Sequence, residues 1–283
     1  MSSTMMHAVR RHGPYVLILP GFMLLAGLFV LPVGQLLATS FGDPAGSFVH
    51  YERILTQPVY LRVILRTLTL SAATAALCLI LGYPLAYQLN RSKGVARGLI
   101  LLCILIPFWT NLLVRSYGWI VLLNPQGVIN GALREAGLVE SGLPLVYNTT
   151  GVLIGMTQIM LPYMVLPLAA VMSRIDPRVM DAARSLGASP RAAFLKVYVP
   201  LTLTGALGGV LLVFMISLGF FVVPAMLGGQ RDILLAQLIE FNVNQTLNWP
   251  FAGALSAVLL VSTLVLYAFG DRFLGLRRLW GAE

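Results

Sequence analysis

From Ser173 to Pro200 the chain reads SRIDPRVMDAARSLGASPRAAFLKVYVP. The stretch holds five basic residues, Arg174, Arg178, Arg184, Arg191 and Lys196, and two acids, Asp176 and Asp181. Long runs almost free of charge flank it, Gly151 to Met172 before and Leu201 to Leu227 after. A helix needs about 20 apolar residues to cross the hydrocarbon core, so this is the pattern of a basic loop between two membrane spans.

Four more such runs lie further out: Tyr15 to Leu37, Val63 to Leu89, Gly98 to Leu123 and Phe251 to Phe269. None of the six contains Asp or Glu, and the only charges that enter them are Arg66 and Arg115, each near an end. The whole chain agrees with this reading. Of 283 residues, 58% are hydrophobic and 10% charged, with a mean hydropathy of +0.85. A soluble domain carries about a quarter charged residues, which excludes a soluble enzyme, a disulfide scaffold and a fibrous repeat. The first run is too long for a cleaved signal and has no small-x-small site, so it reads as a retained helix. The expected fold is therefore all-α: a polytopic membrane protein with six transmembrane helices in a single domain, residues 1–283.

Charge in the loops sets the orientation. The N-terminus to Pro14, Asn90 to Arg97, Ser173 to Tyr198 and Gly270 onward hold thirteen of the nineteen Lys and Arg, against four acids. The other loops balance six Arg against six acids. The whole net charge of +9 thus falls on one face, expected to be cytoplasmic with both termini inside. The basic balance is a matter of topology, and no nucleic-acid partner is expected. Cys78 and Cys103 lie in apolar runs and read as small buried hydrophobes. His7, His12 and His50 have no metal-ligand spacing. Gly151/Gly155 and Gly205/Gly209 have the spacing that lets helices approach closely. Gly127 to Leu138 suits a short surface helix, and turn signals stand at Gly42-Asp43-Pro44 and Gly46-Ser47.

Within residues 173–200, Asp176-Pro177 is a helix start, with Asp as the cap and Pro in the first turn. Val179, Ala182, Ala183 and Leu186 follow at one-face spacing, and Gly187 stands where the helix should end left-handed. Ser189-Pro190 starts a second helix that runs toward the fifth span. Periodicity alone fits either a ridge that enters a groove on a partner or an amphipathic hairpin on the lipid surface.

The spacing Asp181-Ala182-Ala183, three residues, Gly187, nine residues, Val197-Tyr198-Val199-Pro200 resembles the EAA loop of the inner-membrane permeases of bacterial binding-protein-dependent ABC importers. That family's pattern is Glu-Ala-Ala, three, Gly, nine, Ile-x-Leu-Pro. The departures are Asp for Glu, and Val at the Ile and Leu positions. Pro107 to Trp119, Gly127 to Asn130 and Leu218 to Gly229 are similar to the spermidine/putrescine branch, so the likeness covers nearly the whole chain.

The resemblance implies a type I importer permease fold with residues 173–200 as the cytoplasmic coupling loop. Asp181, Ala182, Ala183, Leu186 and Gly187 would form the contact with a dimer of ATP-binding subunits. A second permease, usually a different chain, would complete the path. A periplasmic or lipid-anchored solute-binding protein would deliver a small solute, a polyamine or a related molecule. ATP and magnesium would belong to the partner ATPase: the only lysines, Lys93 and Lys196, do not follow a glycine, so there is no P-loop. No cofactor and no catalysis are expected on this chain.

For the path the candidates are Trp109, Asn111, Gln158, Tyr163, Phe220 and Phe221. Aromatic faces hold cations, at roughly 0.5–2 kcal/mol each, and polar side chains at membrane depth prefer the bundle interior. The spans offer no acid, which leaves room for a neutral or anionic solute. An ion-coupled secondary transporter would need ionisable groups in its spans, and the acids and histidines lie outside them. A membrane scaffold without solute flux is the other alternative.

Overall fold

A computed structural model describes residues 20–42 and 48–274, all of whose regular structure is helical. The first-span residues before Pro20, the loop turn signals from Asp43 to Ser47, and the basic residues Arg10, Arg11, Arg277 and Arg278 lie outside them. The helices are α1 Pro20–Thr39, α2 Val49–Thr56, α3 Pro58–Arg91, α4 Gly94–Trp109, α5 Leu112–Leu123, α6 Val128–Glu135, α7 Thr149–Met172, α8 Arg178–Ser185, α9 Pro190–Leu218, α10 Val222–Leu227, α11 Leu235–Asn244 and α12 Trp249–Leu274. Five of them, α1, α3, α7, α9 and α12, are long and apolar enough to cross a membrane, and α4 with α5 and α6 makes a sixth, bent span.

The chain divides into two compact units, Met1–Gln57 with Ile239–Val258 and Pro58–Leu238 with Leu259–Glu283. In the smaller unit, Phe41 stacks on Tyr51 at 5.3 Å, Ser40 bonds the Tyr51 hydroxyl at 2.7 Å, and Arg53 lies over the Phe251 ring at 4.9 Å. The apolar residues Phe22 to Leu31 of α1 are exposed, as on a helix that meets lipid.

In the larger unit α3, α7 and α9 pack on one another. Small residues make this possible: a methyl at Gly82 would stand 2.9 Å from Met164, and one at Gly209 2.7 Å from the Met164 sulfur. Gly155 meets Val223 of α10 in the same way. Met156, Met160, Met164 and Leu168 are fully buried along α7, which is the centre of the bundle.

Two expected spans take a different form. The third was expected as one run from Gly98 to Leu123, but its axis bends by 104° between α4 and α5. α4 runs through Pro107 to Trp109, Thr110 turns extended, and the Asn111 side chain accepts from the Leu113 N–H at 2.8 Å to start α5. Hydropathy is blind to a cap inside an apolar run. The fifth was expected from Leu201 to Leu227. Its helix instead begins at Pro190 inside the basic loop and stops at Leu218, where Gly219 and Phe220 break the chain before α10.

Candidate functional site

The loop between α7 and α9 is built as its residues foretell. The Arg178 N–H donates to the Asp176 carboxylate at 2.9 Å, which opens α8. At its other end Gly187 takes φ +86°. The Ala188 N–H reaches the Ala183 carbonyl at 3.1 Å and the Gly187 N–H the Arg184 carbonyl at 2.9 Å. This double closure is the Schellman turn, which needs a left-handed residue at that position. The Ser189 hydroxyl then accepts from the Ala192 N–H at 3.3 Å, with Pro190 in the first turn of α9.

The outcome is a short helix whose apolar side has no cover among the described residues. Leu186 is 89% exposed, Val179 and Ala182 are exposed, and Ala183 is half-buried. Asp181 is exposed and 3.8 Å from Arg184, a weak surface pair. Together Val179, Ala182 and Leu186 form a narrow ridge that a groove of another protein can receive.

A feature that sequence reasoning missed lies at the root of this loop. Phe194 stacks on Tyr198 at 5.6 Å, and Tyr87 of α3 meets the edge of both at 5.4 Å. Tyr83 joins them and bonds the Thr202 hydroxyl at 2.9 Å. Residues Phe194–Tyr198 are wound as a π-helix, a local widening that often marks a functional point in a helix. The signal was present as aromatic pairs at i, i+4: Tyr83/Tyr87 and Phe194/Tyr198. Through this cluster the start of α9 is tied to the long helix α3.

The path candidates gather in part around the α4–α5 bend. Tyr163 of α7 touches Phe108 at 5.5 Å, and Phe108 touches Trp109 at 6.4 Å. Gln158 accepts from the Trp119 indole at 3.4 Å. Asn111 is exposed at the bend, with its carbonyl oxygen spent on the helix cap. Trp109 is 84% exposed and points away from the chain's own core. Phe220 packs on the main core cluster, while Phe221 stands largely exposed at the break between α9 and α10.

At the opposite end of α7 from the loop, Asp232 is buried and collects three donors. Arg66 Nη2 lies at 2.6 Å, the Thr149 hydroxyl at 2.7 Å and the Gly229 N–H at 3.1 Å. Burial pushes the carboxyl up, but these donors outweigh it and hold Asp232 below its ordinary value. The cluster lines a cavity of about 1020 Å³ with Arg62, Tyr147 and Arg231.

A family model described as the binding-protein-dependent transport system inner membrane component matches residues 78–276, from α3 through the loop to α12. The chain belongs to this family. It is a multi-pass permease of the inner membrane and the permease subunit of an ABC importer. The permease is 35% identical over 244 residues to the spermidine/putrescine transport system permease protein PotB of Escherichia coli (strain K12), covering 83% of this chain and 88% of that one. It is 30% identical over 229 residues to the molybdenum transport system permease protein ModB of Mycobacterium bovis, covering 79% and 83%. Its fold matches a permease chain in a crystal structure of a bacterial alginate ABC transporter in complex with an alginate pentasaccharide-bound periplasmic protein. There the TM-score is 0.74 at 18% identity, with 96% of this chain and 97% of that chain covered. A second crystal structure, of a bacterial ABC transporter that imports alginate, gives a TM-score of 0.72 at 19% identity, covering 96% and 99%.

Proposed function

We propose that this permease forms half of the path for a polyamine or a closely related organic cation. It would do so beside a second permease, with a dimer of ATP-binding subunits seated on the loop 173–200. The observation that carries this is the uncovered ridge of α8 joined through the Gly187 turn to a helix that continues into the membrane. A push on Ala182 and Leu186 is transmitted to α9 because only two residues, Gly187 and Ala188, separate the Leu186 cap from the Ser189 cap of α9. Asp181 and Ala183 complete the seat. The basic balance of this face supports a cytoplasmic loop and cytoplasmic termini, with the solute-binding protein on the other side.

This chain carries no catalytic step, and ATP with its magnesium is held by the partner. The polyamine assignment rests on the relatives of about 35% identity that bear that name. Trp109, Tyr163, Phe220 and Phe221 would supply aromatic faces for ammonium groups, with Asn111 and Gln158 as polar contacts. The test is uptake of labelled spermidine and putrescine into vesicles holding the full transporter. Uptake that requires ATP and the binding protein supports the reading. ATP-dependent uptake of another solute, with none of either polyamine, refutes the substrate and keeps the permease.

A further inference from the structure

Arg115 lies in the first turn of α5, directly after the bend. Its Nε and Nη1 are buried and have no hydrogen-bond partner among the described residues. Arg115 stands in the chain between Phe108, whose ring meets Tyr163 of α7 at 5.5 Å, and Trp119, whose indole donates to Gln158 of α7 at 3.4 Å. Tyr163 is fourteen residues into α7 and nine short of its end, about 21 Å and about 14 Å at 1.5 Å per residue. A hydrocarbon core of about 30 Å therefore places Tyr163, and Arg115 with it, at membrane depth.

Among the described residues the neighbouring helices supply no counter-charge there. Helices α3, α4, α5, α7, α9 and α10 contain no Asp or Glu, and Glu135, at the end of α6, is exposed. The N-terminus of α5 adds its own partial positive charge to that of the guanidinium. An arginine at membrane depth is expensive unless it is paired, and its planar fork is matched by a carboxylate.

We propose that Arg115 is a carboxylate receptor and that its resident partner is an Asp or Glu in a span of the second permease. The proposal rests on the two-permease reading above. The partner must be resident because the half-buried charge, with Nε and Nη1 enclosed, exists whether or not solute is present, and a polyamine brings only more positive charge. The pairing also gives Arg115 a task in transport. An arriving ammonium group presents the same charge to the same carboxylate. Arg115 is then a tethered stand-in for the substrate, holding the acid across the path until an ammonium displaces it.

The test uses the full complex in native membranes, with Arg115→benzoylphenylalanine as a photo-crosslinking probe. The expected adduct joins the second permease at a membrane-spanning peptide that contains Asp or Glu. Arg115→Gln should lower recovery of the two-permease complex by at least about tenfold, Arg115→Lys much less, and Arg115→Glu should be rescued by Arg in place of the mapped acid. Adducts with lipid alone, a mapped peptide without an acid, or wild-type recovery for Arg115→Gln would overturn the proposal. None of these readouts uses spermidine, so they stand even if the polyamine assignment fails. Spermidine uptake with no such adduct sinks this proposal alone.

Discussion

Arg66 and Asp232, 166 residues apart in the chain, meet at 2.6 Å and tie the start of α3 to the segment that precedes α11. Thr149 at the start of α7 joins the same carboxylate, so three elements share one buried acid. The Asp232 side chain is 3% exposed and Arg66 is 37% exposed. Removing the acid strands a half-screened cation and two donors.

Asp232→Asn should therefore destabilise the purified permease by on the order of 1–3 kcal/mol, with solvent screening of Arg66 keeping it from the higher values of fully buried pairs. The pH dependence follows from the direction of the shift. A carboxyl held below its ordinary value contributes stability that is present above the unfolded value, near 3.9, and is lost as pH falls through the lower folded value. Thermal unfolding should show a loss of stability below about pH 4 in wild type, and a weaker acid dependence in Asp232→Asn. Equal acid sensitivity in the two proteins would remove Asp232 from this role.

Gly187 separates a fold effect from a coupling effect. A side chain there meets nothing within 4 Å, yet φ +86° strains any β-branched residue by about 1–3 kcal/mol. Gly187→Val should insert normally and lose solute-stimulated ATP hydrolysis, while Gly187→Asn, which tolerates the left-handed region, should retain most of it. Equal activity in both variants would show that the turn is dispensable.

The aromatic cluster makes a different forecast. Edge and stacked ring pairs contribute about 0.5–1.5 kcal/mol each beyond their buried area. Phe194→Ala removes contacts with Tyr83, Tyr87 and Tyr198 at once. The variant should still bind the ATPase through α8, because the ridge is untouched, but transport per ATP hydrolysed should fall several-fold. Loss of ATPase binding in Phe194→Ala would instead make the cluster part of the docking surface.

Much of the loop was legible because caps are local. Asp176-Pro177, Gly187 and Ser189-Pro190 each decide a helix end within four residues, and each does so in the structure. The spans were legible from hydropathy, but their interruptions were not. Asn111 caps α5 from inside an apolar run, and the stop at Leu218 depends on Gly219 and Phe220 within another. The pairing of Arg66 with Asp232 joins distant segments, and no local pattern announces it. Arg115 was visible as a charge near the end of a straight span. Only the bend sets it between Phe108, which meets Tyr163 deep along α7, and Trp119, which bonds Gln158.

On the reading proposed above, the exposed ridge of α8 is the seat of the ATP-binding subunit. The most direct measurement is a disulfide cross-link from Leu186→Cys, made in a Cys103→Ser background because Cys103 is exposed, in membranes that hold the whole transporter. The ATPase should carry cysteines scanned along its permease-facing surface. The expected result is a specific adduct between residue 186 and the ATPase, weakened when Gly187→Val is added. Absence of any adduct across the scan, in membranes where the ATPase co-purifies with the permease, would contradict it.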